Sequence, residues 1–265
     1  MRVISWNLLR RTGAAVKDVA ALIERYHPDL LLMQEATEEV AELPGMVGGY
    51  FFREHFPSRI YGLAAWSRHP MLPPYALTLP VSTMPGRVPP RLAQIVCFGD
   101  VTFANVHLSH GQFLNRWQLT CIARSLDGPA AVVGDYNAVG PIKLSGFKDV
   151  GPRKSTHVAS NIIPFRLDRC MARGLRCTNA QVLDRGPSDH HPIILDLNVM
   201  SSATDASEQQ SSRHAAFIRR RPLRVSVGSW LRAISQSPDN IAVPRIFAAR
   251  RDLKRVRRKP AQGQH

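Results

Sequence analysis

A carboxylate and an imidazole stand side by side in Ser188-Asp189-His190-His191-Pro192, between the turn-like Asp184-Arg185-Gly186-Pro187 and the apolar run Ile193-Ile194-Leu195. An imidazole titrates near neutral pH and can take a proton from water, and loops at strand mouths often carry such chemistry. Four further stretches set a polar residue at the end of an apolar run: Ile4-Ser5-Trp6-Asn7, Leu31-Leu32-Met33-Gln34-Glu35, Val132-Val133-Gly134-Asp135-Tyr136-Asn137 and Arg166-Leu167-Asp168. A fifth, Phe103-Ala104-Asn105-Val106-His107-Leu108, carries a histidine late in a strand-like segment. Polar groups are costly to bury unless they are paired or hold a ligand, so this recurrence points to one shared site.

The segments that must position these residues follow from periodicity. Residues 2–7 read as a strand ending at Asn7. Residues 14–26 place Val16, Val19, Ala20, Leu22 and Ile23 at helical spacing, and Pro28 ends the helix. Leu30 to Met33 is a short apolar run of the kind that fills a strand buried on both faces. Between Thr37 and Pro90 the pattern loosens into shorter strands such as Tyr61 to Trp66, and the proline-rich Pro80 to Pro90 reads as a loop. Leu92 to Phe98 and Val101 to His107 are two strands turned by Gly99-Asp100, a hairpin signal. A second helix, Gly111 to Leu126, is expected to bury a face carrying Phe113, Leu114, Trp117, Cys121 and Ile122. After the strand Ala130 to Gly134 and an irregular basic segment from Lys143 to Asn161, the last strands are Arg166 to Met171, Cys177 to Leu183 and Pro192 to Val199.

Charge divides the 265-residue chain. Residues 1–200 hold 21 Lys+Arg against 16 Asp+Glu, while residues 201–265 hold 14 against 4. The polar stretch 201–212 marks a linker, so the sequence predicts a folded domain over 1–200 and a disordered basic tail over 201–265. Cys97, Cys121, Cys170 and Cys177 lack metal-site spacing and read as buried free thiols. No segment approaches the length of a membrane span, and no leader-like succession precedes Val3-Ile4-Ser5-Trp6, so a soluble, cytoplasmic protein is expected.

In their order, Trp6-Asn7, Gln34-Glu35, Asn105 to Leu108, Gly134-Asp135-Tyr136-Asn137, Arg166-Leu167-Asp168 and Ser188-Asp189-His190 resemble the endonuclease/exonuclease/phosphatase superfamily over about residues 1–200. The resemblance implies an α/β (α+β) fold of the deoxyribonuclease I type, a two-layer β-sandwich flanked by helices with the site at one end. It also implies magnesium-dependent hydrolysis of a phosphodiester in a nucleic acid or phospholipid. That reaction needs an activated water, in-line geometry and neutralisation of charge on the phosphoryl oxygens and leaving group. Magnesium, with manganese as the alternative, suits the last task because it takes oxygen ligands and keeps several waters.

Glu35 is the candidate metal ligand, with Asn7 and Asp189 beside it by the resemblance. His190 is the candidate general base. The resemblance makes Asp168 the residue that orients His190, has Asp135 and Asn137 position water and phosphate, and has His107 donate a hydrogen bond to a phosphoryl oxygen or the leaving group. His191, His110 and His157 have no assigned role. His107-Leu108 stands where the apurinic endonuclease branch usually shows a tyrosine and an asparagine, so the chain looks more like the branch of deoxyribonuclease I, sphingomyelinases and various bacterial hydrolases. A second reading is a catalytically silent protein whose tail binds nucleic acid or an anionic membrane. Every motif position is filled, which favours the enzyme.

Overall fold

The computed structural model describes residues 1–82, 89–159 and 163–200. The expected linker and basic tail lie outside the described residues, as do parts of the Pro80–Pro90 loop and of the basic segment. The chain first builds β1 (Arg2–Asn7), α1 (Val16–Tyr26), β2 (Leu30–Ala36), the short α2 (Leu43–Val47), β3 (Tyr50–His55) and β4 (Gly62–Ser67). It continues through β5 (Tyr75–Thr78), β6 (Leu92–Phe98), β7 (Val101–His107), α3 (Gln112–Ser125), β8 (Ala130–Asp135) and β9 (Lys148–Asp149). A ribbon of β10 (His157–Ala159) and β11 (Ile163–Phe165) precedes β12 (Asp168–Arg173), β13 (Leu175–Val182) and β14 (Ile193–Val199).

Two six-stranded mixed sheets result, in the orders β13-β14-β1-β2-β4-β3 and β5-β6-β7-β8-β12-β9. Val3, Leu30, Leu32, Ile193 and Leu195 of the first meet Val96, Phe103, Ala131, Val133 and Cys170 of the second in one buried cluster. The outer face of the first sheet packs on α1, through Val19, Ala20, Leu22 and Ile23, and that of the second on α3. This is the expected sandwich flanked by helices. Each sheet has one central parallel pair, β1 with β2 and β7 with β8, and both pairs carry their polar C-terminal residues to the same end.

α1 forms where the apolar spacing predicts. Asp18 accepts the Ala15 backbone N–H at 2.8 Å in its first turn, and His27 closes the other end in the left-handed region just before Pro28. The β6–β7 hairpin pairs Phe98 with Val101 across the two-residue turn, as expected.

α3 lies where expected but presents its other face. Phe113 is 94% exposed and Trp117 52%, Leu114 and Cys121 are only partly buried, and Ile122 alone of the five expected core positions is buried. The inner face is Asn115, Gln118, Leu119 and Ile122. The reason is hydrogen bonding. Gln118 accepts the Ser109 N–H at 3.0 Å and donates to the Pro80 carbonyl at 2.8 Å, while Asn115 donates to the Asn137 carbonyl at 3.0 Å. These amides satisfy loop backbone that would otherwise be buried without partners, a requirement that outranks helical apolar periodicity. The cysteines also depart from expectation: all four are free, but only Cys170 is buried, and Cys97 is exposed.

Candidate active site

Strand register assembles the site. Asn7 pairs with Gln34 in the first sheet, and His107 and Asp168 both pair with Asp135 in the second. Two local distortions turn side chains toward the gap. Glu35 sits at a bulge between Gln34 and Ala36 with φ 53°, in the left-handed region, where a non-glycine residue is strained. Gly134 approaches β7 so closely that a Cβ would lie 2.1 Å from the Val106 carbonyl, so only glycine carries β8 past that point to Asp135. Beneath the site a buried amide network joins the sheets: Gln34 donates to Asn105 at 2.7 Å, and Asn105 donates to the Met33 and Ala64 carbonyls and to Gln94. Asn105 and the amide nitrogen of Gln34, though part of the motifs, are thus engaged in holding the sandwich together.

The centre is a cleft of about 400 Å³ lined by Asn7, Glu35, His107, Asp135, Asn137, Asp189 and His190, so it gathers every expected site residue except Asp168, which lies directly behind His190. His190 Nδ1 lies 2.8 Å from Asp168 Oδ2, both side chains being buried. Its Nε2 faces Asp135 Oδ2 at 3.8 Å. The loop is fixed as well: Ser188 donates to the Asn7 carbonyl at 2.7 Å and accepts the His190 N–H at 3.1 Å, and Trp6 donates to the His190 carbonyl at 3.1 Å. Thr156 accepts the backbone N–H groups of Leu167 and Asp168 at 3.0 and 2.9 Å, which holds Asp168 in place.

Asp135 is the hub. Its Oδ1 accepts the Asn137 N–H at 2.8 Å; its Oδ2 accepts from Asn7 Nδ2 at 3.2 Å and lies 3.6 Å from His107 Nε2. Asn137, left-handed at φ 46°, turns its side chain inward to donate to the Leu108 carbonyl at 2.9 Å.

The two cleft histidines differ in charge. Burial lowers His190, but the carboxylates of Asp168 and Asp135 outweigh it and push the imidazole up to about 10. Burial, with Arg91 nearby, holds His107 well below the usual range. Arg91 lies 3.3 Å from His107 Nδ1, where a guanidinium can only donate, so His107 is a neutral imidazole with its proton on Nε2, facing Asp135 and Glu35.

The donors also fit a hard divalent cation. Glu35 Oε2 and Asp189 Oδ1 are buried oxygens with no hydrogen-bond partner among the described residues. Burial raises the Glu35 carboxyl above its usual range, against the pull of Arg10, whose Nε is 3.9 Å away. Donor atoms within 4.8 Å of one another group as Asp135/Asp168/His190 and as His157/Asp189/His190, and Glu35 is in neither group. Glu35, Asn7 and Asp189 therefore line one cleft without forming a closed cage, which suits an ion that keeps several waters. Asn7 is partly engaged, accepting the Leu9 N–H at 3.1 Å besides donating to Asp135.

Four neighbours of the site were not singled out by sequence: His157, whose ring lies 4.4 Å from that of His190 at a tilt of 38°, Arg91, Arg10 and Thr156. None ends an apolar run, so periodicity carries no signal for them.

The protein-family model that matches, described as the Endonuclease/Exonuclease/phosphatase family, aligns with residues 4–190. No curated protein matches the sequence. Among solved structures, an endonuclease/exonuclease/phosphatase from Beutenbergia cavernae has TM-score 0.61 at 18% identity, over 76% of this chain and 72% of that one. A Bacteroides thetaiotaomicron mannosyl-6-phosphatase has TM-score 0.62 at 17% identity, over 75% and 99%. D. rerio TDP2 in complex with a single-stranded DNA product has TM-score 0.58 at 18% identity, over 75% and 99%. At these identities the likeness is one of fold.

Proposed function

The chain belongs to the endonuclease/exonuclease/phosphatase family and so to the phosphoester hydrolases, and from that premise we propose a magnesium-dependent phosphodiesterase in which His190 activates the attacking water. The observation that carries this reading is the His190–Asp168 contact of 2.8 Å, with Nε2 of the same ring turned into a cleft that Glu35 and Asp135 line. His190 Nε2 takes the proton of the water. Asp168 keeps the other ring proton on Nδ1 and stabilises the imidazolium that forms. His107, neutral and protonated on Nε2, donates to a phosphoryl oxygen or to the leaving group. Asp135 and Asn137 set the position of water and phosphate. Glu35 would hold the cation, with Asn7 and Asp189 as further ligands. When bound, Mg²⁺ or Mn²⁺ would neutralise charge on the phosphoryl oxygens and leaving group and offset the carboxylate field that keeps His190 protonated.

The substrate is a phosphodiester of nucleic acid or phospholipid, a range consistent with the TDP2 neighbour that holds a DNA product. The mannosyl-6-phosphatase neighbour supports a second reading within the same phosphoesterase class, hydrolysis of a phosphomonoester of a sugar. The folded domain is read as residues 1–200, with the basic tail 201–265 gathering polyanions by its charge. No helix among the described residues is long and apolar enough to cross a membrane, and four free cysteines support a reducing, cytoplasmic compartment.

A hydrolysis screen with and without magnesium, over plasmid DNA, single-stranded RNA, a phospholipid panel, phosphorylated inositols and sugar phosphates, tests the reading. Magnesium-dependent turnover of one class supports it. A metal-bound protein silent on all of them would instead favour the silent binding protein.

A further inference from the structure

A second hollow opens beside the catalytic cleft. It has a volume of about 320 Å³ and is lined by Arg10, Ser58, Arg59, Ile60 and Tyr61, with no carboxylate among them. Arg10 joins it to the cleft. The Arg10 guanidinium lies over the Tyr61 ring at 4.9 Å, and its Nε is 3.9 Å from Glu35 Oε2. Among the described residues Glu35 is the only carboxylate within ion-pair distance of Arg10, and the Arg10 guanidinium makes no hydrogen bond. The exposed Arg59 side chain has neither an ion pair nor a hydrogen bond among them. Beyond Arg59 the surface widens into a trough of about 720 Å³, where Glu38 and Glu39 offset Arg53, so the positive charge in excess is that of Arg59, beside an Arg10 whose one carboxylate neighbour, Glu35, is 3.9 Å away.

Both arginines are held by distorted, anchored backbone. Leu9 and Arg10 have φ of 53° and 27°, and Ser58 has φ 56°, all three non-glycine residues in the left-handed region. The turn carrying Ser58 and Arg59 is closed by the Arg59 N–H donating to the Phe56 carbonyl at 3.1 Å. Phe56 is buried, packs edge-on against Tyr61 at 5.8 Å and lies under the Arg91 guanidinium at 5.0 Å. Strain of this kind persists only where surrounding structure fixes it, and it concentrates at ligand clamps. Two guanidinium groups line one small hollow with a hydroxyl beside them, and Glu35 at 3.9 Å from Arg10 offsets only one of the two charges, so an anion in the hollow would be favoured. Their planar forks match the oxygens of a phosphate.

We propose that the hollow between Arg10 and Arg59 is a second phosphate subsite, so that the substrate carries a phosphate in addition to the one hydrolysed. This rests on the phosphoesterase reading for the hydrolysed group and on the hollow alone for the second. The second phosphate can belong to a nucleotide backbone or to a phosphorylated sugar; the recognition chemistry is the same.

Two matched substrate pairs distinguish these sources: thymidine 5′-(p-nitrophenyl phosphate) with and without a 3′-phosphate, and a sugar bisphosphate against its monophosphate. In each pair the readout is the ratio of kcat/KM, or of Kd by calorimetry, between the members with and without the second phosphate. The full chain should favour the doubly phosphorylated member of at least one pair by about tenfold to a hundredfold, the range of charge-assisted hydrogen bonds. Arg59→Ala should bring that ratio close to one, through KM rather than kcat, and Arg59→Lys should give an intermediate ratio. A ratio near one in both pairs for the wild type, or a preference that Arg59→Ala leaves intact, overturns the subsite. Absence of turnover with the calorimetric preference present would instead count against the phosphoesterase reading while keeping the subsite.

Discussion

His190 stands between two carboxylates, and its charge state follows from them. Its pKa in the folded chain is about 10 against an ordinary 6.5, so the stabilisation it confers on the metal-free protein is complete below about 6.5 and is lost as pH rises through about 10. Denaturation of wild type and His190→Gln across that window should show the difference between them shrinking with pH; a constant difference would contradict the assignment. Asp168→Asn should lower the imidazole pKa, read from ring-nitrogen shifts in a magnetic-resonance titration, and an unmoved titration would show that Asp168 does not set it. Glu35→Gln removes the charge but keeps the shape. It should raise the magnesium concentration needed for half-maximal turnover by about tenfold or more, and an unchanged metal dependence would remove Glu35 from the ligand set. At this scale the sequence is informative because the site residues lie at or next to the ends of apolar runs. His157, at the start of the short β10, Arg10, in a single 3-10 turn, and Arg91, just before β6, reach the site only through tertiary packing, which spacing does not encode.

The elements show where periodicity succeeds and where hydrogen bonding overrides it. α1 and the β6–β7 hairpin follow from pattern because their buried faces are apolar and their ends carry turn chemistry. α3 does not, because Asn115 and Gln118 turn inward to hold the loops at Ser109 and Asn137, leaving Phe113 and Trp117 outside. Phe113→Ser should therefore change stability by less than about 0.5 kcal/mol, as is usual for surface substitutions. Leu119→Ala, at a 1% exposed position, should cost about 2–5 kcal/mol. Chemical denaturation of both variants decides the matter. A large loss at Phe113 with little at Leu119 would mean that the helix faces the other way.

Charge is spread unevenly along the chain: residues 1–200 hold 21 basic against 16 acidic residues, and the strongly basic 201–265 hold 14 against 4. The fold class was legible from the ordered motifs, and the meeting of both parallel strand pairs at one end accounts for that order. The short strands β3, β5 and β9 and the β10–β11 ribbon were not legible, since their residues are half-exposed and their pairing is fixed by neighbours. Deleting 201–265 should weaken binding to polyanions and flatten its salt dependence while hydrolysis of a small chromogenic phosphodiester persists. Loss of that hydrolysis would place the tail in the catalytic domain.

The central claim is that His190 moves the proton. The measurement that tests it most directly is the turnover of bis(p-nitrophenyl) phosphate at saturating magnesium by wild type and His190→Ala, with metal binding followed by calorimetry in both. Turnover should fall by about a hundredfold to ten-thousandfold, the usual contribution of a general base, with metal affinity largely kept. Turnover near that of the wild type would contradict the account.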